Sequence, residues 1–142
     1  MNRRQFIIST SALAGTAALL PSTAFAGASM QAYTPGLIQK HLSAGRTVFV
    51  DYAASWCSTC ARQERIISAL RSANPAYDEA LEFVRVDWDD YANHEVTKSR
   101  RIPRRSTLLV LKGDQELGRI VAGTQEAEIK ALMDTGLQAA TS

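Results

Sequence analysis

Thr47-Val48-Phe49-Val50-Asp51-Tyr52-Ala53-Ala54-Ser55-Trp56-Cys57-Ser58-Thr59-Cys60 contains both cysteines of the chain and marks a change of secondary structure. Thr47 to Tyr52 is rich in β-branched and aromatic residues, which predicts a buried central strand. Beyond a short loop, Ile66, Ile67 and Leu70 share one face at helical spacing, which predicts a helix from Ser58 to Ser72. Cys57 then stands at the mouth of that helix. Free backbone N–H groups and the positive end of the helix dipole both favour a thiolate there. Cys60 follows across one helical turn, near enough to close a disulfide with Cys57.

Such a pair suits thiol–disulfide exchange, in which Cys57 attacks a partner disulfide and Cys60 resolves the mixed intermediate. Two other uses of the pair stay open. One is a plain structural disulfide, although so short a loop restricts the unfolded chain little. The other is half of a metal site, although His41 and His94 show no ligand spacing to the pair and each reads as a surface residue.

Residues 30–34 are expected to form a short strand. Pro35 to Leu42 reads as a helix, with Thr34 as N-cap and Pro35 at the first helical position, ended by Ala44-Gly45. Leu81 to Val86 is a second long strand, and Ala92 to Arg100 a polar helix. Thr107–Leu111 and Glu116–Val121 flank Lys112-Gly113-Asp114-Gln115 as a hairpin. Gln125 to Met133 closes the chain as an amphipathic helix carrying Ile129, Leu132 and Met133. The order predicts an α/β fold: a mixed central sheet with helices on both faces.

The chain has 142 residues, 46% hydrophobic and 21% charged, which supports one domain with one core and argues against disorder. At the N-terminus, Arg3-Arg4 precede an apolar stretch from Phe6 to Leu20, shorter than the ~20 residues a spanning helix needs. Pro21 breaks the stretch, and Ala24-Phe25-Ala26 has the small-x-small form that signal peptidase reads. Residues 1–26 are therefore expected to be a cleaved export signal, of twin-arginine or Sec type, and residues 27–142 the folded domain. Two of the 16 basic residues and none of the 14 acidic ones lie in that segment, so the remainder balances at 14 of each. A neutral domain offers no global field for nucleic acid. Its charges are segregated: Asp78, Glu79, Glu82, Asp87, Asp89, Asp90 and Glu95 precede a basic stretch of Lys98, Arg100, Arg101, Arg104 and Arg105. Export also predicts an oxidising compartment, the bacterial periplasm, where a dithiol needs an electron source.

From about Met30 to Leu137 the chain resembles the thioredoxin superfamily, most closely through Val48 to Cys60, which matches the strand, loop and active-site motif in register. The resemblance implies a thioredoxin fold with Cys57 as nucleophile, Cys60 as resolving thiol and no organic cofactor. Asp51 falls where thioredoxins keep a buried acid that moves a proton to or from the resolving cysteine. Desolvation would raise the pKa of a carboxyl in such a strand, which suits a proton shuttle. Trp56 shields the thiol in the family and here offers a flat apolar contact to partners. Trp88 and Tyr91 are expected to pack rather than to function. Gly123 follows the last strand, in a turn the family uses for partner backbones.

The departures are specific. The family usually has an aromatic residue at Ala53 and Gly-Pro at Ser58-Thr59. It also has a cis-proline facing the cysteines. Aligned without gaps, that position is Ser106, and only a shifted gap would give it to Pro103. A cis bond before a non-proline costs ~3 kcal/mol, which favours a trans peptide before Ser106. Arg105, Ser106 and Thr107 are expected to line a substrate groove beside Cys57, where Arg104 and Arg105 either select an acidic partner or form a solvated basic loop. The likeness is closest to reductases, with protein disulfides as substrates and a membrane thiol reductant as donor. The chain has no room for the helical insertion of Dsb-type oxidases or the dimerisation domain of isomerases, so a monomer is expected. The alternative readings are a metallochaperone holding Cu or Zn on the two thiols, and an adaptor with a permanent disulfide.

Overall fold

The structure, a computed structural model, describes residues 29–142, and the predicted export segment lies outside them. Thr47–Ala53 forms strand β2, in which every residue is buried. It lies at the centre of a five-stranded sheet ordered β1-β3-β2-β4-β5. Here β1 is Gln31–Ala32, β3 Leu81–Asp87, β4 Thr107–Lys112 and β5 Gln115–Val121. β3 runs parallel to both β1 and β2, whereas β4 is antiparallel to β2 and β5 to β4. The sheet is mixed, as expected. Gly113, at φ 59, makes the hairpin turn between β4 and β5.

Alternation along β2 sorts its side chains into two cores. Val48, Val50 and Tyr52 join Val84, Val86, Leu109 and Leu111 under helix α1, Leu37–Ser43, which contributes Ile38 and Leu42. Phe49 joins Phe83, Leu108 and Val110 on the opposite face. Two 16-residue helices cover that face: α2, Ser58–Ala73, and α6, Glu126–Thr141. α2 supplies Ile67 and Leu70, and α6 supplies Ile129, Leu132 and Met133, while Ile66 is only half-buried. Gly136 lets α6 lie close to the sheet, because a Cβ there would meet Leu81 and Val110 at 3.1 and 3.2 Å.

The structure revises several of the expected elements, and only Gln31–Ala32 of the strand expected over 30–34 is β1. Thr34-Pro35-Gly36-Leu37 forms a turn in which the Leu37 N–H donates to the Thr34 carbonyl at 3.0 Å and Gly36 has φ 87. This is a type II turn, whose third position demands glycine, so Pro35 belongs to the turn and Thr34 caps no helix. The helix expected over 92–100 is two single turns, α4 at Trp88–Tyr91 and α5 at Glu95–Lys98. Asp87 caps the first through the N–H groups of Asp89 and Asp90, and His94 Nδ1 caps the second through Val96 N–H. A short helix with no sequence expectation, α3 at Ala76–Ala80, begins where Asn74 Oδ1 accepts the Ala76 N–H. Finally, α6 continues beyond Met133 to Thr141.

Candidate active site

β2 ends at Ala53, and a short loop delivers Cys57 to the N-cap of α2, where its sulfur accepts the Cys60 N–H at 3.2 Å. The two cysteines form a disulfide, with Cα atoms 5.3 Å apart. Both are nearly sealed from solvent, at 5% exposure for Cys57 and 1% for Cys60. Ala53 and Ala54 pack beneath them, and Trp88 packs against this group from the end of β3. Trp88 thus brings aromatic bulk from a different element to the small residue at 53. That places it in packing, as expected. Tyr91 packs edge-on against Tyr33, with ring centroids 4.8 Å apart.

Asp51 pairs with Arg85 and Leu108 across the sheet, so it shares the α2 face with Phe49. It is fully buried, and neither carboxylate oxygen has a hydrogen-bond donor. Burial pushes its pKa up to about 7; the positive charge of Arg85 opposes this and the negative charge of Glu64 adds to it. A solvated or edge position for Asp51 is excluded.

The loop before β4 closes the site. Its Ser106 occupies the place facing the cysteines, with Oγ 3.2 Å from Cys57 Sγ and 3.0 Å from Cys60 Sγ. Pro103 is exposed. No peptide bond among the described residues is cis, so the bond before Ser106 is trans. Thr107 is buried, and its hydroxyl donates to the Arg104 carbonyl at 2.7 Å, which braces the loop. Arg104 folds back, its Nε donating to the Arg105 carbonyl.

Trp56 is the large exposed apolar residue beside the pair, at 59% exposure. Its orientation is set from two sides. The indole N–H donates to the Asp89 carboxylate at 2.9 and 3.1 Å, and the Arg105 guanidinium lies 4.4 Å from the ring centroid. A cation over an indole face contributes about 0.5–1 kcal/mol at such a site.

One residue of the site escaped the sequence reading. Gln63 is fully buried on α2, and its Nε2 donates both to the Ser106 carbonyl (3.1 Å) and to the Gly123 carbonyl (2.9 Å). It ties the cysteine helix to both loops that flank the disulfide. The available signal was a polar residue on the stripe that continues through Ile67 and Leu70. His41 and His94 serve elsewhere, His41 against Gln31 and His94 as the cap of α5. Among the described residues no group of three His, Cys, Asp or Glu side chains is placed to hold a metal ion.

An α/β domain with a cysteine pair one turn apart at a helix mouth, closed by a loop from the antiparallel half of the sheet, defines a dithiol–disulfide class of protein. The thioredoxin family model matches residues 31–135, and the chain belongs to that family. Thioredoxin H2-1 of Oryza sativa subsp. japonica is 32% identical over 95 residues, 67% of this chain and 64% of that protein. This chain therefore spans just under two thirds of that relative. Among solved structures, Trxlp of Edwardsiella tarda superposes with a TM-score of 0.63 at 30% identity, covering 73% of this chain and 98% of that one. The thioredoxin of Fasciola hepatica superposes with a TM-score of 0.60 at 25% identity, covering 74% and 97%.

Proposed function

We propose that the protein is an exported thiol–disulfide oxidoreductase that reduces protein disulfides in the periplasm. The observation that supports this most strongly is the position of the pair: Cys57 at the N-terminus of α2, with the buried carboxyl of Asp51 on the sheet face below that helix. In the reduced protein the Cys57 thiolate attacks one sulfur of a substrate disulfide. A Cys57–substrate bond forms, and the other substrate sulfur leaves as a thiolate. Cys60 gives its proton to the Asp51 carboxylate and attacks Cys57 Sγ. The Cys57–Cys60 bond closes and the second substrate thiolate departs. Two electrons have passed to the substrate, and a membrane thiol reductant restores the dithiol. Trp56 and Arg105 form the rim that takes the substrate strand, with Ser106 and Thr107 buried beneath it. The protein acts as a monomer without an organic cofactor.

The deciding measurement is the reduction potential of the Cys57–Cys60 couple in the mature protein, equilibrated against glutathione and dithiothreitol. A value near roughly −270 mV supports a reductant, whereas one near roughly −120 mV overturns the direction while the exchange chemistry stands. Turnover of insulin disulfides tests the exchange itself. Binding of Cu(I) or Zn by the reduced protein without insulin reduction would replace this reading with the metal-binding one.

A further inference from the structure

Ser106 is one of three non-glycine residues with left-handed backbone among the described residues, at φ 64. That conformation is disfavoured for an L-residue and persists where surrounding structure over-determines it. Here three hydrogen bonds do so. The Ser106 N–H donates to the Tyr52 carbonyl at 2.7 Å, and its own carbonyl accepts from Ala122 N–H at 2.8 Å and from Gln63 Nε2 at 3.1 Å. The result is a fully buried hydroxyl whose side-chain partners are the two sulfurs. In the disulfide neither sulfur carries a proton, so the hydroxyl is the donor. A hydroxyl can donate and accept at once.

Resting on the exchange reaction above, we propose that Ser106 is a catalytic residue: in the reduced protein the Cys60 thiol donates to Ser106 Oγ while the Ser106 hydroxyl donates to the Cys57 thiolate. The two thiols are thereby linked through one oxygen. When Cys57 attacks, its negative charge passes to the departing substrate sulfur, and the Ser106 hydroxyl loses its charged acceptor. It turns to Cys60, whose proton goes to the Asp51 carboxylate, and donates to the new thiolate until that thiolate closes the Cys57–Cys60 bond. The dithiol's two electrons end on the two substrate sulfurs, and Ser106 neither gains nor loses a proton.

The test compares Ser106→Ala and Ser106→Gly with the wild type. Both remove the hydroxyl, and glycine adopts the left-handed backbone without strain, so at least the glycine variant should fold. Asp51, Glu64 and Arg85, and the Arg105 and Asp89 that hold Trp56, are untouched by either change. A hydrogen bond to a charged group sets the scale: in the fully reduced variants, thiolate ultraviolet absorbance should titrate with the lower thiol pKa raised by about one unit. Where the thiolate predominates, the equilibrium with glutathione should move about tenfold towards the disulfide, a fall of about 30 mV in potential. Wild-type titration and potential in both variants overturn the proposal, even if their stability changes. Insulin reduction by the wild-type protein is scored separately: its absence refutes the exchange reading, whereas an unmoved thiol pKa refutes the role of Ser106 alone.

Discussion

Asp51 carries an ionisable group where no donor reaches it, and its pH dependence follows from that. Its pKa rises from the ordinary 3.8 to about 7 in the folded protein. Between those values the folded chain holds a proton that the unfolded chain has released, so stability falls as pH rises from about 4 to about 7 and is level above. An interval of that width corresponds to at most about 4 kcal/mol. Asp51→Asn removes the dependence, so its stability relative to wild type should improve steadily across the interval in denaturant unfolding of the oxidised protein. An offset that is the same at every pH would show that another group titrates. The same substitution should slow resolution of a Cys57 mixed disulfide by about a hundredfold, the smaller end of what a positioned base contributes. Asp51 was visible in the sequence as an acid inside an apolar strand. Arg105 was expected beside Cys57, but its stacking on Trp56 was not legible, because that contact requires two loops to meet.

Helix α2 does two jobs through two of its faces. Its first turn holds the cysteines, and its inner face holds Gln63, which clasps the loops at Ser106 and Gly123. Gln63→Leu keeps the volume and deletes both hydrogen bonds. It leaves the Gly123 carbonyl without this donor, while Ser106 retains Ala122 N–H. The expected cost is about 2 kcal/mol in the denaturant midpoint. Amide exchange should quicken in the two loops ahead of the sheet; uniform quickening would mean that Gln63 is ordinary core packing. Elements with strong local signals were legible: the β2 run, α2 and the hairpin all follow apolar period and turn chemistry. The shorter pieces were not. Thr34-Pro35 satisfies a helix start and a type II turn equally until Gly36 shows its positive φ. α3 begins in a turn made by Asn74, and the two turns over 88–98 are set by caps from Asp87 and His94, rather than by periodicity.

Among the described residues, the acidic and basic stretches do not pair with each other as blocks. Arg71 meets Asp78, Arg46 meets Glu82, and Arg85 meets Glu64. Of the basic stretch, Arg100 and Arg101 offer their carbonyls to the Arg119 guanidinium. Arg105 remains at the active-site rim, beside Asp89 on the other side of Trp56, so the rim carries both signs. No helix among the described residues is long and apolar enough to cross a membrane. The proposed export makes its own prediction. In a bacterial host the periplasmic protein should begin at Gly27 by mass, and the double substitution R3K/R4K should abolish export through a twin-arginine route while leaving a Sec route intact. Full-length protein in the cytoplasm of wild-type cells would refute cleavage at Ala26.

The α/β order and the cysteine pair were legible in the sequence alone, because they rest on local pattern: a β-branched and aromatic run, a helical stripe, and two thiols one turn apart; the family was legible as a resemblance through Val48 to Cys60. The sequence also pointed to Asp51 and to Ser106 as the residue facing the cysteines, since both follow from ungapped register. Tertiary structure alone decided what those residues touch. The contact of Ser106 Oγ with both sulfurs needs β4 to pair antiparallel with β2 and needs a left-handed backbone held by Tyr52, Ala122 and Gln63. The clasp of Gln63 and the stacking of Arg105 on Trp56 likewise join segments far apart in the chain. Local pattern carries the period of an element, and long-range pairing carries the chemistry between elements.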